Sequence, residues 1–375
     1  MDGTMRAMAL EGREKLVLRE VPIPQIGPDD ILFRVLYASI CGTDLPSYRD
    51  LHYLQKMPVV LGHEFTGVVV ETGNHIKDIP VGLRFMGTNF EWCGTCEACL
   101  RGDVTACPTV INRQLGAGRD GVFAEYAVLH KARLGLSVFP LPDCINDLEG
   151  TLCEPMGVGV TSVNGVLHPV DSDRIVVYGA GIVGQSYIQA IKAVCSCEVA
   201  AVDVSDLRLD LARQSGADLV INPSKGITAY DYLAERWGYG SFAYHPESCR
   251  ASGNATIAID CTSNMGCVSE ATEIVGMNGR VCLAAGYGDE QVAKIRPMNL
   301  MLKGVQVLPG WGGNFQGSID YIASGKYSVG HLITHVYPLE DLELAFQTAL
   351  DPQRSCKVCI KVAEDEPDFP YNRQT

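Results

Sequence analysis

Residues 175–184 read Ile-Val-Val-Tyr-Gly-Ala-Gly-Ile-Val-Gly, and this stretch decides the fold of the second half of the chain. Ile175–Tyr178 is a continuous apolar run, which is typical of a parallel strand buried on both faces. Gly179 permits a tight turn, Gly181 lets the backbone approach a pyrophosphate, and Gly184 lets strand and helix pack closely. The N-terminus of the following helix then offers free N–H groups to that pyrophosphate. The predicted cofactor-binding residues of this turn are Gly179, Gly181, Ile182, Val183 and Gly184.

The next apolar run, Val199–Val202, ends at Asp203, which follows Gly184 by 19 residues. A carboxylate at this point in a βαβ unit accepts hydrogen bonds from both ribose hydroxyls of a bound dinucleotide. The same charge repels the additional phosphate of NADP, so the sequence favours NAD, with NADP the less favoured cofactor. Arg208 lies close downstream, where it either accommodates a phosphate or stacks on the adenine.

Strand-like runs continue beyond this unit, at 219–221, 256–259, 281–284 and 305–307. Helix-like segments lie between most of them, and such alternation predicts a doubly wound parallel sheet, the Rossmann arrangement, over residues 161–310. Within it, Tyr239–Ser252 is longer than the usual connection into the fourth strand, and the sequence assigns it no role.

The remaining parts of the chain have a different pattern. Residues 5 to about 150 form short extended runs separated by Gly and Pro, which predicts a mostly β domain. A last strand near Lys357–Val362 is expected to return to it. The predicted fold class is therefore α/β, with a β domain over 1–160 and 311–375 and the parallel-sheet domain between them.

Charge and composition exclude several classes of partner. The 375 residues carry 30 Lys and Arg against 44 Asp and Glu, a formal net charge of −14, which predicts no affinity for nucleic acid or anionic membranes. No apolar run approaches the roughly 18 residues of a membrane span, and the first residues lack a secretory signal. We therefore expect a cytoplasmic protein in which the 15 cysteines stay reduced.

Four cysteines fall within 15 residues, spaced by two, two and seven residues: Cys93, Cys96, Cys99 and Cys107. Short spacers of this kind form tight turns, so four thiolates can surround one metal ion tetrahedrally. Sites with four thiolates are usually closed to other ligands. The segment, about 91–108, is therefore predicted to hold a structural zinc ion that takes no part in chemistry.

A second candidate set is scattered along the chain and consists of Cys41, His63, Glu64 and Glu154. One thiolate, one imidazole and one or two carboxylates form the mixed ligand set of a catalytic zinc with an open position. Each residue also has an ordinary structural interpretation, since scattered ligands carry no local signature.

Together these motifs resemble the zinc-dependent medium-chain dehydrogenases, and within them the polyol, sugar and threonine dehydrogenases. The resemblance covers nearly the whole chain in order: Cys41-Gly-Thr-Asp44, Gly62-His-Glu64, the four-cysteine segment, Asp120-Gly-Val-Phe-Ala-Glu-Tyr126, Glu154-Pro155 and residues 179–184. The family implies a GroES-like β domain, a Rossmann domain, an active site in the cleft between them and two zinc ions per subunit. It also implies a homodimer or homotetramer, paired through edge strands such as Val305–Val307.

The resemblance implies an NAD-dependent alcohol dehydrogenase that oxidises the secondary alcohol of a polar substrate. Polyols, sugars, aminocyclitols and hydroxy amino acids all remain open as substrates. Zinc at Cys41, His63 and Glu154 would act on the substrate oxygen, and Glu64 would also bind the metal or exchange with water. Thr43 would accept the hydroxyl proton and pass it to the cofactor ribose or to solvent. The family often has a histidine five residues after its first ligand, and this chain has Pro46 there.

Three other interpretations are possible. A zinc-independent reductase of the same family, or a non-catalytic structural protein that retains only the fold, predicts an incomplete zinc set. Here every ligand position is filled. A nucleic-acid-binding zinc module predicts a basic surface, which the net charge of −14 contradicts.

Overall fold

The computed structural model describes residues 3–102, 104–240, 253–288 and 290–365. Most of the long stretch Tyr239–Ser252 lies outside the described residues. The chain divides into two compact units, the first formed by residues up to Glu154 with Ser318–Ser324 and Val329–Thr375, the second by Pro155–Gly317 and Gly325–Ser328. Residues 155–160, 311–317 and 325–328, which the sequence assigned to the β domain, fall in the second unit.

Sixteen strands are found in the described residues. In chain order they are β1 (Thr4–Gly12), β2 (Lys15–Pro22), β3 (Ile31–Ser39), β4 (Val59–Val60), β5 (Glu64–Thr72), β6 (Arg84–Gly87), β7 (Tyr126–Leu129), β8 (Val138–Pro140), β9 (Arg174–Tyr178), β10 (Glu198–Val202), β11 (Leu219–Ile221), β12 (Ala255–Asp260), β13 (Val275–Leu283), β14 (Gln306–Pro309), β15 (Ile333–Pro338) and β16 (Lys357–Lys361).

Eleven α-helices lie in the same described ranges. They are α1 (Asp44–Asp50), α2 (Glu97–Leu100), α3 (Asp147–Gly150), α4 (Cys153–Ser162), α5 (Ile182–Val194), α6 (Asp206–Gln214), α7 (Ala229–Trp237), α8 (Met265–Ile274), α9 (Pro297–Lys303), α10 (Phe315–Ala323) and α11 (Leu342–Ala349). None of the helices in those ranges has both the length and the apolarity that crossing a membrane requires.

The second unit contains a six-stranded parallel sheet in the order β11-β10-β9-β12-β13-β14. Numbered within the sheet this is 3-2-1-4-5-6, the order of a Rossmann fold. The central strand β9 is buried along Ile175–Tyr178, as its apolar run predicts. The predicted α/β fold class is confirmed. At one edge lies β14, where the side chain of Val307 is half exposed.

The first unit is mainly β, as predicted. A seven-stranded sheet has the order β15-β16-β3-β5-β6-β8, with β7 also paired to β3, and a smaller sheet has the order β2-β1-β4. Aromatic rings of Phe33, Phe65 and Phe85 pack in its core, with centroids 4.7 and 5.3 Å from Phe33. Strand β16, from the end of the chain, pairs with β3, with Cys359 opposite Ser39. This pairing brings C-terminal residues next to the segment that carries Cys41.

Candidate functional site

The glycine turn after β9 has the close contacts that its sequence predicts. Gly179 has φ +86°, a conformation that favours glycine. A Cβ added at Gly184 would lie 1.9 Å from the carbonyl oxygen of Gly179, so any side chain there would force strand and helix apart. Helix α5 begins at Ile182, directly after the turn, and Val183 is its second residue. The turn therefore has the geometry that brings a helix N-terminus close to a phosphate group.

Asp203 lies beside this turn, at the end of β10. Its Oδ2 accepts a hydrogen bond from the N–H of Ala180 at 2.7 Å, and its Oδ1 accepts one from Ser205 at 2.8 Å. On the other side, a Cβ added at Gly181 would lie 3.6 Å from the guanidinium of Arg208. All seven predicted cofactor-binding residues thus follow β9 or β10, at the carboxyl end of the parallel sheet.

The four spaced cysteines converge in the first unit. The ligand atoms of Cys93, Cys96, Cys99 and Cys107 all lie within 4.8 Å of one another, with Sγ–Sγ distances of 3.9 Å for Cys93–Cys99 and 3.4 Å for Cys96–Cys99. Sulfur atoms at about 2.3 Å from a tetrahedral zinc ion are about 3.8 Å apart. The geometry and the donor atoms therefore fit a closed zinc site.

Backbone hydrogen bonds prepare this cluster for a metal. The N–H groups of Thr95 and Cys96 donate to Cys93 Sγ at 3.4 and 3.3 Å, and the N–H of Cys93 donates to Cys107 Sγ at 3.4 Å. The hydrogen bonds from Thr95 and Cys96 lower the pKa of the Cys93 thiol to about 5. Since thiolates are the form that binds metal, this stabilises the required charge state.

Little apolar packing supports the four-cysteine segment. Its buried apolar cluster has only Trp92, Cys107 and Val110 at the centre. Polar contacts also attach it to its surroundings: Lys131 Nζ donates to the Cys93 carbonyl at 2.7 Å, and Arg113 and Arg119 each donate to Glu91 at 3.0 Å. These contacts do not replace a hydrophobic core, so a metal bound by the four cysteines would be the larger source of order.

Three of the four residues in the scattered set also converge, and the fourth, Glu154, lies outside their group. Ligand atoms of Cys41, His63 and Glu64 lie within 4.8 Å of one another, although 22 positions separate Cys41 from His63. Glu154, in the first turn of α4, is not part of this group of three. It is nevertheless buried and acts electrostatically on His63, which places its carboxylate in the same neighbourhood.

The side chain of Glu64 is hydrogen-bonded by residues that are distant from it in the sequence. The ammonium group of Lys357 and the hydroxyl of Ser39 both donate to Glu64 Oε2, and Lys357 Nζ also donates to the carbonyl of Ile40 at 2.8 Å. Both charged side chains are fully buried. Burial opposes the charge of Lys357, but the carboxylate of Glu64 outweighs it and raises the pKa of the lysine.

The second carboxylate oxygen of Glu64 supports a metal at this position. Glu64 Oε1 is buried and has no hydrogen-bond partner among the described residues. A buried charged oxygen without a partner is costly, and a cation beside Cys41 and His63 would satisfy it. The donor set of thiolate, imidazole and carboxylate is one that zinc prefers.

Asp44 lies close to His63. Asp44 Oδ2 accepts from the backbone N–H of Cys41 at 2.9 Å, and its Oδ1 lies 3.8 Å from His63 Nδ1. Burial works against a charged imidazole, but Cys41 and Asp44 outweigh it, so the pKa of His63 is raised. Burial and the nearby Glu64 raise the pKa of Glu154 to about 7. A metal ion at this position would offset the repulsion between the carboxylates of Glu64 and Glu154.

Thr43 lies between Cys41 and Asp44 in the sequence, immediately before α1. Its side chain is half-buried and does not cap the helix. Its carbonyl accepts a hydrogen bond from Ser47 at 3.0 Å.

Sequence reasoning missed three residues around the scattered set: Ser39, Asp44 and Lys357. Asp44 has a weak local signal, because an acidic side chain three residues after Cys41 can accept from its N–H. Lys357 has none, since 293 positions separate it from Glu64.

Two family models match the chain. The alcohol dehydrogenase GroES-like domain matches residues 27–143, which lie in the first unit, and the zinc-binding dehydrogenase domain matches residues 183–324. The fold and the two cysteine-containing clusters thus define a two-domain zinc-type dehydrogenase. The chain belongs to the zinc-type medium-chain alcohol and polyol dehydrogenase family, as the sequence motifs predict.

Curated relatives align over nearly the full chain. An L-threonine 3-dehydrogenase of Caldanaerobacter subterraneus is 28% identical over 94% of this chain and 98% of its own. The sorbitol dehydrogenase of Bacillus subtilis is 27% identical over 94% of this chain and 95% of its own. Among solved structures, one from Escherichia coli described as a short chain alcohol dehydrogenase complexed with NADH has a TM-score of 0.83 and 26% identity, covering 96% of this chain and 99% of that chain.

Proposed function

We propose that this protein oxidises a secondary alcohol of a small polar substrate and transfers the hydride to NAD. The observation that carries the proposal is the convergence of Cys41, His63 and Glu64, with an unpaired carboxylate oxygen, in a chain that also has a dinucleotide turn. The relatives named threonine and sorbitol dehydrogenases support the same class of reaction.

We propose that Cys41, His63 and Glu154 hold a catalytic zinc, with Glu64 as a further or exchanging ligand. When bound, such an ion supplies Lewis-acid polarisation of the alcohol oxygen. Asp44 keeps the His63 ring in a fixed orientation, which carboxylate partners of metal-binding histidines commonly do. Thr43 Oγ1 would accept the hydroxyl proton while its own proton passes to the cofactor ribose or to solvent, and acceptance of the hydride belongs to the nicotinamide.

The direct test is an assay of NADH absorbance with a panel of secondary alcohols. The panel contains a linear polyol, a sugar, an aminocyclitol, a hydroxy amino acid and simple secondary alcohols. We expect turnover with at least one polar member. Failure with every alcohol, combined with reduction of enones or quinones by NADPH, would instead favour the zinc-independent reductase.

Metal content is the first quantitative prediction. Purified protein is expected to contain about two zinc equivalents per chain, because each of the two ligand clusters fits one ion. Inductively coupled plasma mass spectrometry measures this directly. Chelation should remove the ion of the Cys41 cluster first, since closed four-thiolate sites exchange more slowly. A content near zero after mild purification would rule out both assignments.

The second prediction concerns the choice of cofactor. Asp203→Asn keeps an acceptor for the N–H of Ala180 but removes the charge that faces a 2′-phosphate. The preference for NAD over NADP in kcat/KM is expected to fall at least about tenfold, since like-charge contacts cost several kcal/mol. Asp210→Asn, on the exposed face of α6, is the matched control and should leave the ratio unchanged. A wild-type enzyme that already prefers NADP contradicts this role of Asp203.

We further propose that the enzyme is a cytoplasmic homodimer or homotetramer. The unpaired edge of β14 and the half-exposed Val307 support pairing between two copies. The five cysteines proposed to bind metal, Cys41, Cys93, Cys96, Cys99 and Cys107, must stay reduced to do so, which supports a reducing compartment. Sedimentation analysis of the purified protein tests the oligomeric state.

A further inference from the structure

Two cysteines outside both candidate metal clusters, Cys195 and Cys197, have their sulfur atoms close together. Cys195 Sγ lies 3.2 Å from Cys197 Sγ. A disulfide bond is about 2 Å long, so the two atoms need to approach by only about 1 Å to be joined. A single residue, Ser196, separates the pair in the sequence. The two thiols therefore have the proximity that disulfide formation requires.

The position of the pair between a helix and a strand explains this contact. Cys195 ends α5 with an extended backbone, at φ −152° and ψ 164°, and β10 begins at Glu198. Side chains two residues apart in an extended segment point to the same side. Two extended residues span at most about 7 Å, near the upper end of the Cα–Cα distances found in disulfides. Bond formation therefore needs only a small movement of the backbone.

Hydrogen bonds from neighbouring segments hold this short connection. The N–H of Ser196 donates to Asp171 Oδ1 at 2.8 Å, and Lys192 Nζ donates to the carbonyl of Cys197 at 2.7 Å. The backbone between the two thiols is thus ordered before any reaction. Groups that are held in contact in this way react with each other at a high effective concentration.

The two thiols differ in their access to solvent. The side chain of Cys195 is partly exposed, whereas Cys197 is fully buried. Burial and the neighbouring Cys195 raise the pKa of the Cys197 thiol, which keeps it protonated. Oxidation of a thiol depends on its exposure and thiolate character, so an oxidant in solution meets Cys195 first.

We propose that Cys195 and Cys197 are a redox-active dithiol that forms a reversible disulfide when the protein meets a hydroperoxide. Cys195 Sγ attacks the terminal peroxide oxygen and the O–O bond breaks, which gives a Cys195 sulfenic acid and an alcohol, or water from hydrogen peroxide. Cys197 Sγ then attacks the sulfenic sulfur, and the S–O oxygen leaves as water with the Cys197 proton. The two thiols lose two electrons and two protons, and the peroxide gains them.

The bond is expected to be easily reversed. It closes a loop with one intervening residue, and the stabilisation by a disulfide increases with the length of the loop that it closes. Exposed disulfides are also more readily reduced than buried structural ones. A transient disulfide of this kind is compatible with a reducing compartment, where such bonds act in redox sensing or catalysis.

The test treats the zinc-loaded protein with hydrogen peroxide, removes the peroxide with catalase and alkylates all free thiols under denaturing conditions. Trypsin releases residues 193–208 as one peptide, which contains Cys195 and Cys197 and no other cysteine. Mass spectrometry should show that its doubly alkylated form falls at least about tenfold and is replaced by a form two hydrogen atoms lighter than the dithiol. Dithiothreitol before alkylation should restore the doubly alkylated peptide.

Variants separate the roles of the two sulfur atoms. Cys195→Ser should leave Cys197 free for alkylation after the same treatment, because the thiol that meets the peroxide is gone. Cys197→Ser should instead convert Cys195 to sulfinic and sulfonic acids, because no second thiol is left to attack the sulfenic acid. If one variant folds poorly, the other still makes the comparison. Cys144→Ser, which removes an exposed thiol elsewhere, is the control and should form the disulfide as the wild type does.

The outcome is read at a peroxide concentration that already oxidises Cys144 in the wild type. A peptide 193–208 that keeps two free thiols under these conditions overturns the proposal, and so does a wild-type Cys195 that proceeds to a sulfinic acid. The measurement follows thiols and not turnover. A failure to oxidise any member of the alcohol panel would therefore overturn the proposed function and leave this inference in place.

Discussion

Cys41→Ser is expected to lower kcat with the best alcohol by at least about a hundredfold. The thiolate of Cys41 is one of three ligand atoms that lie within 4.8 Å of one another, and serine is a much weaker zinc ligand. A Lewis-acid metal stabilises the transition state by several kcal/mol, and each 1.4 kcal/mol added to the activation free energy lowers the rate about tenfold. Folding and NAD binding should be nearly unaffected, because the dinucleotide turn lies in the other unit.

Kinetics, a melting curve and an NADH-binding titration on each protein measure these expectations together. Cys144→Ser is the matched control, since Cys144 is an exposed free cysteine outside both clusters. The control should keep wild-type turnover and metal content. Near-normal turnover of Cys41→Ser would exclude zinc catalysis at this site and favour the zinc-independent reductase.

Cys99→Ser is expected to have the opposite profile, with a melting temperature lower by at least about 5 °C and less soluble protein. The segment around Cys93–Cys107 has only a small apolar cluster of its own, so its order depends on the metal. Removing one of four thiolates weakens that site and should reduce the zinc content by about one equivalent.

Activity distinguishes this effect from a catalytic one. Turnover of Cys99→Ser per folded molecule should remain close to that of the wild type, because the closed site takes no part in chemistry. The same melting curve and metal analysis on Cys144→Ser set the baseline for loss of a single thiol. A Cys99→Ser protein with full stability and two zinc equivalents would show that the four cysteines do not form a structural site.

Much of the fold is predictable because its signals are local. The apolar run Ile175–Tyr178 and the glycines after it specify a buried strand, a turn and a helix within ten residues, and the Rossmann order of the parallel sheet confirms that class. The cluster of four cysteines is predictable for the same reason, since the short spacers keep the sulfur atoms close together in any compact loop. Both features depend on backbone geometry over a few residues, which the sequence determines directly.

The scattered set is only partly predictable. Its members are recognisable through the resemblance of their short motifs to a family, but spacing alone does not say that Cys41 and His63 meet. The structure brings Cys41, His63 and Glu64 together and leaves Glu154 outside the group of three. How many of the four bind one ion stays a prediction for metal analysis of the variants.

The sequence by itself determined the class of the parallel-sheet domain, the dinucleotide turn and the compact cysteine cluster, because each is recognisable from the pattern of a short stretch of residues. Only the tertiary structure decided what surrounds Glu64 and His63. Lys357 reaches Glu64 because β16 pairs with β3, and β3 pairs with β5 with Ser39 opposite Glu64. Such partners carry no local signal, because strand pairing joins residues whose distance along the chain is set by everything folded between them.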